Sequence, residues 1–208
     1  MIVDLTTAYS DKVSGFSCEA ARTKIKDGWN ASNLHIYSHA GTHMDAPFHF
    51  EATDVRIDEI PVERFISKAH VVSVKVNQPK QMITVSDFAM IGNVIKQGES
   101  IIIKTGWSKL LGTDKFRNDL PRISKDAAEW LVNRKVNILA VEPPSVADVN
   151  NLPEVTLIHQ ILLGGNVIIV EGICNTEALT KETVQLIALP LKIYKGDGAP
   201  ARIIAIQE

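Results

Sequence analysis

His39-Ala40-Gly41-Thr42-His43-Met44-Asp45-Ala46-Pro47-Phe48-His49 sets three histidines and an aspartate within eleven positions of a chain with only six histidines. If His39 to Asp45 runs extended, side chains two apart share a face. His39, Gly41, His43 and Asp45 then point the same way, and Gly41 leaves room where a side chain would crowd the others. Two imidazoles and a carboxylate converge without a cysteine, a donor set that suits a catalytic divalent metal such as zinc or manganese. Two plainer readings compete. His35, His39 and His43 are spaced i, i+4, i+8, as on one stripe of a helix, but Gly41, Thr42 and Pro47 oppose a helix here. A solvated polar loop is the other, and it would not favour so many coordinating side chains in one stretch.

Outward from this stretch, β-branched runs predict strands over 69–76, 100–105, 136–141, 166–171, 187–194 and 202–206. Ile101-Ile102-Ile103 and Val167-Ile168-Ile169-Val170 are apolar at every position, as interior strands are. Asp27-Gly28 marks a turn between two early strands. Three helices are expected: 85–96, 125–133 with Ser124 as N-cap, and a short one over 155–163 that stops at Gly164-Gly165. Strands outnumber helices and do not alternate with them as in a doubly wound sheet.

At 208 residues and 45% hydrophobic content, the chain suits one domain over residues 1–208 with a sizeable core. A net charge of −2 offers no basic footprint for nucleic acid. No apolar run reaches the length of a membrane span. Met1 to Leu5 reads as a strand without a basic leader. Cys18 and Cys174 form no C-x-x-C pair and read as buried or half-buried thiols rather than ligands or nucleophiles. A soluble, cytoplasmic protein is expected.

The pattern His39-x-Gly41-Thr42-His43-x-Asp45-x-Pro47-x-His49-Phe50 resembles the signature of the cyclase-like metal hydrolases, the family that includes bacterial kynurenine formamidases and isatin hydrolases. Ile103-Lys104-Thr105-Gly106-Trp107-Ser108 is similar to the family's central strand and following turn. His159, with Glu171 twelve residues on, matches its second ligand pair, and Leu189–Ile193 with Gly196–Arg202 resembles its C-terminal strands and loop. The resemblance implies an α/β fold, a swivelling β/β/α domain with a strand-rich mixed sheet core and a few helices. It implies one or two divalent ions, Zn2+ or Mn2+. His39, His43 and Asp45 would hold the first and His159 the second, with Asp45 and Glu171 able to bridge.

His49 would be the general base and then the acid that protonates the leaving nitrogen. Its spacing from His43 and Asp45 also allows it to be a ligand. Taken alone, His159 could be a satisfied helix histidine and Glu171 a solvated strand end. An acid closing an apolar run, if buried, needs a partner. Tyr9 and Trp107 are candidate pocket aromatics, whereas Phe48 and Phe50 read more readily as core. Thr42 reads as a backbone tie, and His35 and His70 as structural. Family members associate, so a homodimer or higher homo-oligomer is expected, with Trp29 and Phe65 as interface candidates.

The chain departs from the kynurenine formamidases in three places. Those enzymes carry a tryptophan and prolines shortly after the first strand, whereas Thr6 to Lys12 holds neither. Glu142-Pro143-Pro144-Ser145 stands where the family usually has Asp-Thr-Pro-Ser, and Leu152 to Thr156 lacks a Ser-Lys-rich character. The metal chemistry is compatible with these changes, while N-formylkynurenine becomes one substrate among several. The sequence therefore predicts a metal-dependent hydrolase that cleaves a C–N bond in a small formamide or cyclic amide. The rival readings are a cyclase or dehydratase on the same fold, and a metal- or small-molecule-binding protein without catalysis.

Overall fold

The computed structural model describes residues 1–208. Along the chain run β1 (Ile2–Asp4), β2 (Phe16–Arg22), α1 (Lys24–Asp27), β3 (Ala31–Ile36), β4 (His43–Asp45), β5 (Ile66–Ser73), β6 (Met82–Ile83), β7 (Ser100–Lys104), α2 (Asp114–Asn118), β8 (Arg122–Ile123), α3 (Lys125–Asn133), β9 (Ile138–Val141), α4 (Leu152–Gly164), β10 (Ile168–Glu171), β11 (Thr183–Pro190) and β12 (Gly198–Ile206). The main sheet has the order β1-β12-β11-β5-β7-β9-β10-β4, and β4 also pairs with β12. That last pairing closes β4, β12, β11, β5, β7, β9 and β10 into a barrel. β1 and β4 share one edge of the long β12, at Ile206 and Gly198 respectively. β5, β7, β9 and β10 run parallel to one another, while the remaining pairings of this sheet are antiparallel.

The apolar runs follow from this topology. Ile102, Ile138, Val170, Leu186 and Ile203 fill the barrel. Ile101, Ile103, Leu139 and Ile169 point outward from it, into a second core with Leu131 of α3 and Leu162 of α4. A parallel strand buried on both faces is apolar along its middle, and polar side chains such as Ser100 and Glu171 fall at its ends. The short helices are fixed by local chemistry. Ser124 accepts a hydrogen bond from the amide of Ala127 and caps α3. Asn151 caps α4 through the amide of Glu154, and Pro153 sits in the first turn. Gly165 ends α4 where an added Cβ would lie 2.3 Å from Val132 of α3.

Several boundaries differ from expectation. α4 begins at Leu152 rather than Val155, because Pro153 starts a helix as readily as it breaks one. β11 lies four residues earlier than the apolar run suggests, while β12 begins four residues earlier and ends at Ile206 as expected. The helix expected over 85–96 is a short 3-10 turn, Val85–Phe88, followed by further tight turns. Its backbone bonds from Ile91 to Phe88 and from Val94 to Ile91 are i→i+3 bonds. Phe88, Ile91 and Ile95 are still buried, so the apolar spacing reports burial rather than a full helix. β2 and β3 form the expected antiparallel hairpin, closed by α1 and by Gly28 at φ 82°.

Candidate metal centre

Only His43 to Asp45 of the opening stretch is extended; His39 to Gly41 turns, with Gly41 at φ 60°. The single face expected from His39 through Asp45 is therefore corrected to His43 and Asp45 alone, and His39 reaches the same place around the turn. The room at Gly41 serves Tyr9, whose ring would lie 3.3 Å from an added Cβ. Met44, between His43 and Asp45, is fully buried in the barrel, which turns its two neighbours to the opposite face. The pairing of β4 with β10 sets Glu171 across from His43. α4 brings in His159.

The result is a buried cluster. His43 Nε2 lies 3.4 Å from Asp45 Oδ1 and 3.3 Å from Glu171 Oε2. His159 Nε2 lies 3.6 Å from Asp45 Oδ2 and 3.4 Å from Glu171 Oε1. His39 Nδ1 is 2.9 Å from Asp45 Oδ1. The other nitrogens are spoken for: His43 Nδ1 donates to the Gly41 carbonyl at 3.0 Å and His159 Nδ1 to the Val155 carbonyl at 2.7 Å. A carbonyl can only accept, so both rings carry a proton on Nδ1 and turn Nε2 toward the carboxylates. Glu171 Oε1 also accepts from the amide of Val146 at 2.7 Å. Asp45 Oδ2 has no hydrogen-bond partner at all.

Two buried carboxylates facing two imidazole nitrogens require a positive charge among them. Burial alone would push the imidazoles of His43 and His159 down, yet Glu171 and Asp45 hold both above the ordinary histidine value. Burial raises Asp45, but the three histidines bring it well below the usual carboxylate range. Burial and the neighbouring Asp45 raise Glu171, and His159 and His43 outweigh them. A divalent ion meets the same demand, and its donor set is at hand. His39, His43 and Asp45 form one group with donor atoms within 4.8 Å of one another, Asp45, His159 and Glu171 a second, and His39, His49 and Asp197 a third, less buried one. Asp45 belongs to the two buried groups, as a bridging carboxylate would.

His49 lies on the 3-10 turn Pro47–Phe50. Its ring stacks on His39 at 3.7 Å, and Phe50 stacks on His159 at 4.3 Å. Burial pushes His49 down, while Asp45 opposes and His39 and His159 add to the effect. Asp197 was not singled out from the sequence, although it lies within Gly196–Arg202, the stretch that resembles the family's C-terminal strands and loop. Its Oδ2 lies 3.0 Å from His39 Nε2 and 3.9 Å from His49 Nδ1. Glu142, which stands where the family usually has aspartate, is fully buried and accepts from the amides of Thr105, Gly106 and Ser108, which fixes the loop after β7.

A cavity of about 370 Å³ adjoins His39 and His43, with Tyr37, Phe116, Lys12 and Arg117 among its walls. Tyr9 and Trp107, the aromatics expected there, do not line it. Tyr9 sits behind the motif and donates to the Ala40 carbonyl at 2.8 Å, where burial pushes its phenol up to about 12. Trp107 is buried and donates to the Phe116 carbonyl at 2.9 Å, so it supports a cavity wall from behind. Thr42 ties the motif to β10, donating to the Gly172 carbonyl at 2.6 Å. Phe48 lies under the guanidinium of Arg56. His35 is exposed on the hairpin, and His70 pairs with Glu99 at 2.7 Å; neither approaches the cluster.

A closed mixed barrel with a buried three-histidine, two-carboxylate cluster beside a small cavity defines a class of metal-centre proteins. The chain belongs to the cyclase family: the family model described as "Putative cyclase" matches residues 3–148. Among relatives, the kynurenine formamidase of Salinibacter ruber is 29% identical over 187 residues, covering 89% of this chain and 84% of that one. The kynurenine formamidase of Bacillus cereus is 28% identical over 196 residues, covering 91% and 86%. The solved structure of isatin hydrolase A from Ralstonia solanacearum superposes with a TM-score of 0.87 at 24% identity, covering 100% of this chain and 92% of that one. That likeness bears on the fold, which is the α/β, strand-rich architecture expected from the sequence.

Proposed function

We propose that residues 1–208 form one catalytic domain, a metal-dependent hydrolase that cleaves the C–N bond of a small amide. The observation that carries this reading is the orphaned Oδ2 of buried Asp45, facing the Nε2 atoms that Gly41 and Val155 orient on His43 and His159. His39, His43, Asp45, His159 and Glu171 would hold one or two ions, with Zn2+ and Mn2+ the candidates for this donor set. Bound there, a divalent ion would supply Lewis acidity, lowering the pKa of water from 15.7 to about 7 and polarising a carbonyl. The chain supplies the proton traffic. Burial pushes the His49 imidazole down, toward the neutral form a base needs. Neither of its ring nitrogens is tied up in a hydrogen bond, the nearest carboxylate oxygen, Asp197 Oδ2, standing 3.9 Å from Nδ1, so a nitrogen is free to take a proton from the attacking water and return it to the departing nitrogen.

The relatives named as formamidases and isatin hydrolases favour an N-formyl group or a cyclic amide as the scissile function. The cavity narrows the rest of the molecule. Tyr37, Phe116, Val13 and Leu111 offer apolar walls, and Lys12 and Arg117 line it without an ion-pair partner. Such walls fit a substrate with an apolar body and an anionic group. No helix is long and apolar enough to cross a membrane; we read the protein as a cytoplasmic homo-oligomer.

The test is a hydrolysis screen over formamides, lactams and cyclic imides, run on chelator-stripped protein and again after Zn2+ or Mn2+ is returned. Activity that vanishes and returns supports the reading when the products add one water to the substrate: a single ring-opened acid from a lactam or cyclic imide, or an amine together with formate from a formamide. A product lighter by one water would assign a dehydratase instead, and ion binding without turnover on any amide would leave a binding protein.

A further inference from the structure

His39 is the one cluster histidine with a carboxylate at each ring nitrogen, Asp45 at Nδ1 and Asp197 at Nε2. His43 and His159 instead spend one nitrogen on a backbone carbonyl. A neutral imidazole has a single N–H and cannot donate to both partners. An ion held with His43 and Asp45 takes the lone pair of the nitrogen on its own side, and here that is Nδ1. The N–H must then sit on Nε2, where Asp197 accepts it. We infer that Asp197 is a positioning residue: it accepts the Nε2 proton of His39 and so keeps Nδ1 turned to the metal centre. Carboxylates behind ligating histidines act this way, and their loss typically weakens metal binding about 10- to 100-fold.

The local structure is built for this contact. The Asp197 carbonyl accepts from the Ala46 amide at 3.0 Å, which pins the residue to the strand that carries Asp45. Ser38 donates to the same Oδ2 at 3.4 Å. Gly198 follows, and an added Cβ there would lie 2.7 Å from His39 Cε1. The ring therefore rests against bare backbone, edge-on to Asp197. Opposite, the stacked His49 closes its other face at 3.7 Å. His39 comes from a turn rather than from β4, so its orientation depends on these contacts more than that of its strand-borne neighbour.

The inference rests on the metal-centre reading, and the experiment separates the two. The full-length chain is stripped with chelator and titrated calorimetrically with Zn2+ and with Mn2+, as wild type, Asp197→Ala, Asp197→Asn and His49→Ala; circular dichroism and a thermal melt confirm the fold of each. Asp197→Ala should bind about 10- to 100-fold more weakly at unchanged stoichiometry. Asp197→Asn keeps an acceptor oxygen for Nε2–H and should fall between the two, which also guards against a misfolded alanine variant. Wild-type affinity in both Asp197 variants would overturn the positioning role while leaving the metal centre intact. Loss of a whole equivalent of ion in Asp197→Ala, Asp197→Asn and His49→Ala alike would make Asp197 a direct ligand with His39 and His49, which also overturns it. A wild-type protein that binds no ion would fail the metal-centre reading itself.

Discussion

Asp45 Oδ2 is the one buried side-chain polar atom without a hydrogen-bond partner. Leaving such an atom unmet costs about 1–3 kcal/mol, more for a charged group. Its neighbours are histidines rather than apolar side chains, so the unmet demand is for a cation. His49 stands apart from that demand. It shares no carbonyl anchor with His43 and His159, and it is the more exposed, on the rim of the cluster. If it moves protons rather than holding an ion, His49→Asn should keep metal content near wild type. Turnover should fall roughly 10²- to 10⁴-fold, the usual effect of losing a positioned proton-transfer group. Metal content and turnover falling together would make it a ligand. At this scale the sequence was informative where one stretch of chain held the chemistry: His39, His43, Asp45 and His49 lie within eleven positions. Asp197 was not legible, because its role depends on a pairing between β4 and β12 that spans more than 150 residues.

At the scale of elements, periodicity revealed burial better than it revealed boundaries. The all-apolar runs of β7 and β10 are interior strands because helices cover the barrel's outer face there. α3 falls where Ser124 predicts it. The stretch 85–96 carries helical spacing yet folds as successive tight turns, and α4, with Pro153 in its first turn, opens three residues ahead of the expected start at Val155. The pocket aromatics were misplaced for a related reason. Sequence distance cannot tell that α2, rather than the strand end at Trp107, supplies the wall with Phe116 and Arg117. If Arg117 meets an anionic group on the substrate, its hydrogen bonds contribute about 1.5–3 kcal/mol. Arg117→Ala should then raise KM about 10-fold or more for anionic substrates, with kcat little changed. An equal effect on a neutral analogue would assign Arg117 to the fold of α2 instead.

At the scale of the whole molecule, the β2–β3 hairpin stands out as the part with least cover. Both strands are mostly exposed, and Ile25 (98%), Trp29 (58%) and Leu34 (58%) present apolar surface to solvent. A lone two-stranded hairpin is marginal in water, and a second copy of the chain would cover this one. Trp29 therefore remains an interface candidate. Phe65 does not, because it is buried in the barrel core. Light scattering at micromolar concentration should give twice the 22.9 kDa chain mass or more; a monomer mass would contradict this. Stability against acid has its own marker. Asp148, bonded to Lys80 at 2.7 Å, is held by that ammonium below the usual 3.8. Its contribution is present above about pH 4 and fades as pH falls through the lowered value, because the unfolded chain binds the proton first. Asp148→Asn should thus lower the melting temperature at pH 7 and narrow the gap to wild type at pH 2 to 3, followed by calorimetry. The account as a whole turns on the metal centre. Its most direct test is elemental analysis of the purified chain beside His43→Ala, with metal add-back. Wild type should carry at least one equivalent of zinc or manganese, and His43→Ala should lose an ion. Traces of every divalent metal in the wild type, with no uptake when ions are returned, would contradict the account.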